Sequence, residues 1–361
     1  MKLLDLYIAR HVLGGFLIVL LTIVGLDMMF ALVEELKDVE GAYTFAEAVK
    51  YVWLTAPSRF YEFIPLSSLI GCLLGLGVLA SNAELTVMRA AGVSTMGIIL
   101  SVMKPVLVII FGGLAIGEFV VPVTEPIAQS HRQVKITGGA IHSASKIWHR
   151  DDMTFIHINA VETDGSVRGI TRYEFNDDLT LARSSFAEEG VFDGENWLLQ
   201  EIEETRFPLP SADQGFEAQK VQTAVLKTEE WKSGLTPDLL KVVMVKPANL
   251  SMVGLIDYSD YLVEQGLEAS QYRVAFWNKL LMPLAIFALV LIAVSFIFGP
   301  LRSVTVGQRL ITGIVIGLVF KLTQDLLGPT STVFGFSPLI AVLLPILICF
   351  AFGVWLLRRA R

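Results

Sequence analysis

The chain has 361 residues, of which 53% are hydrophobic and 17% charged, with a formal net charge of −7. Its mean hydropathy is +0.61. A water-soluble protein is seldom so apolar, so a membrane protein is indicated and no nucleic acid is expected among its partners. Cys72 and Cys349 both fall inside apolar runs, which gives no sign of a disulfide framework.

A hydrocarbon core of ~30 Å needs ~20 apolar residues as helix. Six stretches qualify, at 12–33, 56–79, 96–121, 274–298, 308–328 and 336–357. The first is about as long as a spanning helix and lacks a small-residue cleavage pattern, so it reads as a retained anchor. Lys2, Arg10, Arg89, Lys104, Arg302, Arg309, Arg358, Arg359 and Arg361 all fall on one side of this arrangement. The connection at 34–55 carries Glu34, Glu35, Asp38, Glu40 and Glu47 against Lys37 and Lys50, which suits the other side. Both termini are thereby expected in the cytoplasm. The second span carries Gly71, Gly75 and Gly77, including a G-x-x-x-G that lets helices approach closely.

Between spans two and three lies SNAELTVMRAAGVS, residues 81–94. Ser81 and Glu84 have the spacing of a capping box and Gly92 supplies a stop, so a helix of about three turns is expected over 81–92. It would present Leu85, Met88 and Ala91 near one stripe, with Glu84 and Arg89 beside it. A short rigid helix on the cytosolic side offers a grip for a separate motor. The competing reading is a helix that lies on the bilayer or only turns the chain.

After residue 121 the apolar runs stop and periods of two replace them, in TFIHINAV, VRGITRYEF, NWLLQEIEETRF and AQKVQTAVLK. Turn signals separate these at Thr163-Asp164-Gly165, Asn176-Asp177-Asp178, Asp193-Gly194-Glu195-Asn196 and Pro208 to Gly215. The segment 122–250 is therefore expected to be an all-β sandwich or jelly roll outside the membrane. The window from Pro122 to Ser270 holds 24 acidic and 13 basic residues, so the acidity of the chain belongs here. A net-negative domain would handle an amphiphile through apolar surface rather than by its overall field. Ser251 is placed to cap an amphipathic helix, SMVGLIDYSDYLVEQG, within a connecting stretch at 251–273.

There is no G-x-x-x-x-G-K-[ST], G-x-S-x-G, H-E-x-x-H or C-x-x-C. His11, His131, His142, His149 and His157 lie outside the spans with no accompanying ligand cluster, so they read as solvated or strand-face residues and no bound metal is expected. Charges within or at the edges of spans are Asp27, Arg59, Glu62, Glu118, Lys321 and Asp325. Such groups are costly in hydrocarbon and face protein or water. Lys321 and Asp325 are four apart on one helix face and form either a self-contained ion pair or the lining of a substrate cavity. Lys37, Lys50, Arg59, Arg132 and Lys135 cluster near the outer end, where they meet lipid head groups or snorkel. The two sets of three spans share no visible repeat.

Three stretches resemble a known family. ELTVMRAAGVS after span two, FWNKLLMPLAIFALVLIAVSF opening span four, and FKLTQDLLGPTSTVFGFSPLIAVLLP across spans five and six are similar to the lipopolysaccharide export permeases LptF and LptG, more to the LptG half. The likeness runs over the whole chain. It implies an α-helical membrane protein of six transmembrane helices with an inserted periplasmic all-β, jelly-roll-like domain. It implies a non-catalytic permease subunit in the bacterial inner membrane, paired with LptF and bound from the cytosol by an LptB ATPase dimer that holds ATP and Mg. Lipopolysaccharide would pass through a cavity, gated by spans one and five, to a bridge of LptC, LptA and LptD. The helix at 81–92 would be the coupling helix, with Glu84, Leu85, Met88 and Arg89 toward the ATPase. Substrate contacts would fall to Lys37, Arg59, Arg132, Lys135, Lys321 and Asp325. Lys37 sits among Glu34, Glu35 and Asp38, whereas Arg132 and Lys135 have no adjacent carboxylate and are better placed to meet lipid phosphates.

Two other classes compete. A secondary transporter would use Lys321, Asp325, Asp27 and Glu118 as a proton relay, against which stands the lack of a repeat with paired broken helices. A membrane-anchored interaction protein would use only its β domain, against which stand the charges in the spans.

Overall fold

The computed structural model describes residues 2–136, 147–151, 153–161, 165–207, 221–233, 236–237, 246–264, 267–299 and 304–359. Arg302, Arg361, His142, part of the Thr163 turn and the Pro208 to Gly215 turn lie outside the described residues. Six helices are long and apolar enough to cross a membrane: Leu3–Asp38, Ala56–Ser81, Thr95–Arg132, Ser270–Phe298, Val306–Phe334 and Pro338–Arg359. Each contains the corresponding predicted span, apart from its end residues. Several run further, because polar residues end the hydrocarbon segment without ending the helix.

The elements follow in order. Helix α1 covers Lys2–Glu35 and is followed by a 3-10 turn at Leu36–Asp38; α2 covers Phe45–Leu54, α3 Ala56–Ser81, α4 Glu84–Ala90 and α5 Thr95–Ala115. A π turn at Ile116–Val120 then leads into α6, Val121–Ile136. After six strands come a 3-10 turn at Pro247–Asn249, α7 Met252–Glu264, α8 Ser270–Phe298, α9 Val306–Phe334 and α10 Pro338–Arg359.

Span 1 meets span 2 backbone to backbone. A Cβ on Gly15 would lie 2.4 Å from the Gly71 carbonyl oxygen, and one on Gly75 would lie 2.4 Å from that of His11. This is the close approach expected of the glycine pattern in span 2, where lipid offers no hydrophobic force between helices and contact area must supply the attraction. The resulting core joins Ile8, Val12 and Phe16 of α1 to Leu69, Leu73 and Leu76 of α3, and to Ile286, Leu289 and Ile292 of α8.

The segment inserted between the third and fourth spans holds strands β1 Ile147–Asp151, β2 Thr154–Val161, β3 Val167–Phe175, β4 Leu181–Phe192, β5 Trp197–Arg206 and β6 Gln222–Trp231. All pair antiparallel with their sequence neighbours, in the order β1-β2-β3-β4-β5-β6. The described strands form one consecutive antiparallel meander, whereas residues 122–136, assigned to this all-β segment from the sequence, are instead the helix α6 that continues span 3. Its core contains Ile156, Ile158, Val167, Ile170, Ala187, Trp197, Leu199, Ile202 and Trp231. Four of the strands carry the apolar alternation read from the sequence. Strands β1 and β4 were not among them: β1 is the five-residue IWHRD, and the ARSSFA run of β4 sets Arg183 and Ser185 where an apolar pattern would need hydrophobes.

Ser251 does cap the returning helix, its Oγ accepting from the Gly254 amide at 3.0 Å. Leu255, Tyr258, Ser259 and Leu262 form the buried stripe of α7. That stripe meets Tyr272 and Ala275 at the start of α8.

Candidate functional site

The connection between spans 2 and 3 is helical but shorter than expected. Helix α4 has seven residues, and its N-cap is Ala83 at φ +61°. The capping box does not form: Ser81 Oγ donates back to the Val78 carbonyl at 2.9 Å. The Glu84 carboxylate is thereby left to accept from Tyr7 Oη at 2.7 Å and Asn82 Nδ2 at 3.3 Å. The Gly92 stop is present. Gly92, at φ +91°, donates to the Arg89 carbonyl and Val93 to that of Met88, the paired bonds of a Schellman ending.

Leu85 is buried in the membrane core and Met88 is packed against it, while Thr86, Val87, Arg89 and Ala90 are exposed. The stripe therefore seats the helix on its own chain. A cleft of about 510 Å³ opens between α4 and the end of α8, lined by Ala80, Ala83, Leu85, Thr86, Arg89, Ala90, Ile297 and Phe298. Arg309, near the start of α9, is 2% exposed and donates to the Gly77 carbonyl at 2.6 Å.

A second group of polar residues gathers where span 1 ends, around α2 and α6. Arg132 Nε donates to Glu35 at 2.7 Å and its Nη2 to Asp38 at 2.5 Å. Its guanidinium also lies 5.4 Å from the Tyr51 ring centroid. Lys135 and His131 both approach Glu47, at 3.2 and 3.3 Å, and Lys50 lies 2.9 Å from His131 Nε2. This corrects the expectation that Arg132 and Lys135 stand clear of carboxylates, which holds along the chain and fails in space. Lys37 is exposed on the 3-10 turn. Partial desolvation of Glu47 would raise its pKa, yet Lys135, His131 and Lys50 together hold it below the usual carboxylate value. Burial, reinforced by Glu35, pushes the Tyr43 phenol above its ordinary value, and Tyr43 donates to Glu35 at 2.9 Å.

The charges within the spans are satisfied between helices. Arg59 of α3 pairs with Asp27 of α1. Lys321 lies 3.6 Å from Asp325, as its spacing suggested, but its nearer partner is Glu62 of α3 at 2.7 Å. Glu118, in the π turn, accepts from the Met252 amide with both oxygens, at 2.9 and 3.0 Å. It also lies 3.2 Å from Lys279. Lys279 is the charge that the sequence reading passed over, although a lone lysine inside FWNKLLMPL was a sufficient signal.

Six spans divided three and three around an inserted sheet, with a short helix projecting between spans 2 and 3, is the arrangement that the sequence resemblance implied. Comparison with known proteins agrees over the full length. The profile of the lipopolysaccharide export system permease LptF/LptG matches residues 6–359. The chain is 37% identical over 360 residues to the lipopolysaccharide export system permease protein LptG of Escherichia coli strain K12, covering 99% of this chain and 98% of that one. It is 34% identical over 362 residues to the LptG protein of Haemophilus influenzae, covering 99% of each. The chain therefore belongs to the LptF/LptG family of lipopolysaccharide export system permeases.

Proposed function

We infer that this chain is the LptG-type permease subunit of an ATP-driven exporter that takes lipopolysaccharide from the inner membrane and delivers it to a periplasmic bridge. The reading rests chiefly on full-length similarity to proteins named as lipopolysaccharide export system permeases. Both termini and α4 lie in the cytoplasm and the sheet in the periplasm. An LptF permease completes the transmembrane unit, an LptB dimer binds and hydrolyses ATP with Mg, and LptC, LptA and LptD carry the lipid onward.

Helix α4 is the coupling helix. Its Leu85 and Met88 fix it to the membrane core, while Arg89 and the free edge of Glu84 face the ATPase. A push on α4 reaches span 1 through the Tyr7–Glu84 hydrogen bond and span 4 through the wall of the cleft formed by Ile297 and Phe298. At the outer end, Arg132 and Lys135 form the rim that meets lipid phosphates, joined by exposed Lys37. Binding there exchanges the carboxylates of Glu35, Asp38 and Glu47 for phosphate, and guanidinium suits both partners. Lys321, Asp325 and Arg59 line the route between spans.

The test is purification from native membranes in mild detergent, followed by ATPase assay with and without lipopolysaccharide. Recovery of an ATPase and a second six-span permease, with hydrolysis that responds to the lipid, is the expected result. Glu84→Lys should lose association or coupling while the sheet stays folded. Full coupling in that variant removes the role given to Glu84. Unchanged lipid-stimulated hydrolysis and lipid crosslinking in Arg132→Ala/Lys135→Ala would remove the rim. A chain that comes out alone, with lipid movement that stops when the proton gradient collapses, would favour the secondary transporter.

A further inference from the structure

Lys279 sits in span 4 at 3% exposure. A buried ammonium is expensive unless it is closely partnered. Here Nζ donates to the Gly117 carbonyl and to the Leu250 carbonyl, each at 2.6 Å, and lies 3.2 Å from Glu118 Oε2. The Tyr61 ring of α3 lies beneath it, 5.9 Å from ammonium to centroid. A Cβ at residue 117 would come within 2.3 Å of that ring, so glycine is what lets Tyr61 close on the π turn.

These partners are not an arbitrary set. Gly117 and Glu118 lie where span 3 leaves the core toward the sheet domain, and Leu250 and Met252 lie where the chain returns from it. Glu118 and Met252 are 134 positions apart, yet the carboxylate receives the first amide of α7. Lys279 holds both crossings at once. The whole extracytoplasmic segment is therefore a loop closed at its base by the Glu118–Met252 contact and fastened there to span 4 by Lys279.

We propose that Lys279 is a positioning residue for lipid transfer: by fastening the outgoing and returning crossings to span 4, it makes the stem of the sheet domain move with spans 3 and 4 as one body. The inference rests on the export reading above and adds to it the element that carries motion of the spans to the periplasmic domain. If Lys279 serves only to let the chain fold, its loss lowers the amount of assembled complex, and transfer and hydrolysis fall together.

The experiment uses the complete complex with its partner subunits in lipid nanodiscs. Spin labels are placed at Phe119 and Val253, which are 74% and 64% exposed on the two crossings. With Lys279 intact, their separation should stay within about 2 Å between the nucleotide-free and the vanadate-trapped states, less than a helix-ratchet step. Lys279→Met should broaden the distance or make it follow the nucleotide. Lipopolysaccharide transferred per ATP hydrolysed should fall about tenfold, the size of an ordinary coupling between two sites, while basal hydrolysis stays within about twofold. Glu118→Gln, which keeps an acceptor for Met252 and loses the charge, should lower the same ratio by less. Wild-type labels that separate beyond that limit, or a Lys279→Met complex with a normal transfer ratio, would overturn the proposal. The distance arm needs no variant of Lys279, so wild-type labels that separate overturn the proposal even where Lys279→Met does not assemble. A wild-type complex that moves no lipopolysaccharide counts against the export reading and leaves the distance arm standing.

Discussion

Spans 2 and 4 differ from spans 1 and 5 in a way that apolarity alone does not reveal. In the first pair, 67% and 61% of the most apolar window is buried within the chain; in the second, 22% and 17%. All four are greasy enough to cross a bilayer. The interior helices receive their neighbours through small residues and polar contacts: Gly71 and Gly75 admit α1, Gly77 faces Arg309, and Lys279 finds its carbonyls. Leu17, Ile18, Leu21 and Phe30 of α1 and Ile311, Val315, Val319 and Val333 of α9 remain exposed. Under the proposed function these are the surfaces that meet the partner permease and the lipid substrate.

The sharpest break of this comparison lies within one helix. Gly15→Ala drives a Cβ against the Gly71 backbone and should destabilise the chain by about 3 kcal/mol, because backbone cannot rotate away. Gly14→Ala meets nothing within 4 Å and should be neutral or slightly stabilising through helix propensity. Unfolding in mild detergent, followed by far-ultraviolet circular dichroism, separates the two. If both behave alike, the α1–α3 contact is not what holds span 1.

Across helices the same contrast should appear with truncated side chains. Leu76→Ala, at 0% exposure, should cost about 3 kcal/mol. Val319→Ala, at 58% exposure, should leave the isolated chain within about 0.5 kcal/mol of the parent. A loss confined to assembly with a partner in the second variant would sharpen the assignment of that face.

The sheet domain contrasts with the spans in its response to acid. At one end of its buried face Arg172, 3% exposed, donates to Glu229 at 2.6 Å. Arg183 reaches Glu204 at 2.6 Å and Glu229 at 2.8 Å. Desolvation opposes ionisation of Glu229, but Arg183 and Arg172 outweigh it and hold its pKa below the usual carboxylate value. A depressed folded pKa gives stability that is complete above the unfolded value and is lost as pH falls through the folded one. Hydrogen-exchange protection in β3 to β6 of the full chain, taken relative to the intrinsic rate at each pH, should therefore fall below about pH 4, ahead of protection in α3 and α8. Glu229→Gln should remove that acid-sensitive component and cost about 2 kcal/mol at neutral pH by leaving arginine charge unpaired. An unchanged pH profile in the variant would take Glu229 out of the account.

The smallest effects lie at the two ends of the α4 connection. Ser94 caps α5, its Oγ accepting from the Gly97 amide at 3.1 Å, so Ser94→Ala should cost about 1 kcal/mol. Ser81→Ala should cost almost nothing, because its hydroxyl returns to its own helix. A larger penalty at Ser81 would restore the capping box.

How far the sequence could be read depended on whether a feature is local. Spans, the stop at Gly92 and the cap at Ser251 follow from neighbours within a few residues, and all are present in the structure. The pairing of charges does not. Arg132 looked unencumbered because its partners Glu35 and Asp38 lie 97 and 94 residues away. Lys321 had an obvious companion in Asp325, while the shorter contact, to Glu62, spans 259 residues. Strand β4 escaped notice because burial there is shared with a charge network whose other members come from β3, β5 and β6. Helix α4 lost a turn because Ser81 completes α3, a choice made by the backbone at Ala83 rather than by the S-x-x-E spacing.

The central claim is that the chain moves lipid with energy taken from ATP by a partner rather than from an ion gradient. The most direct test reconstitutes the complete complex in proteoliposomes loaded with lipopolysaccharide and follows transfer to a soluble acceptor under two single changes, a hydrolysis-dead ATPase partner and an ionophore that collapses the proton gradient. The account predicts that transfer stops with the first and continues with the second. Transfer that persists without hydrolysis and stops with the ionophore would contradict it, and would return Lys321, Asp325, Asp27 and Glu118 to the centre of the mechanism.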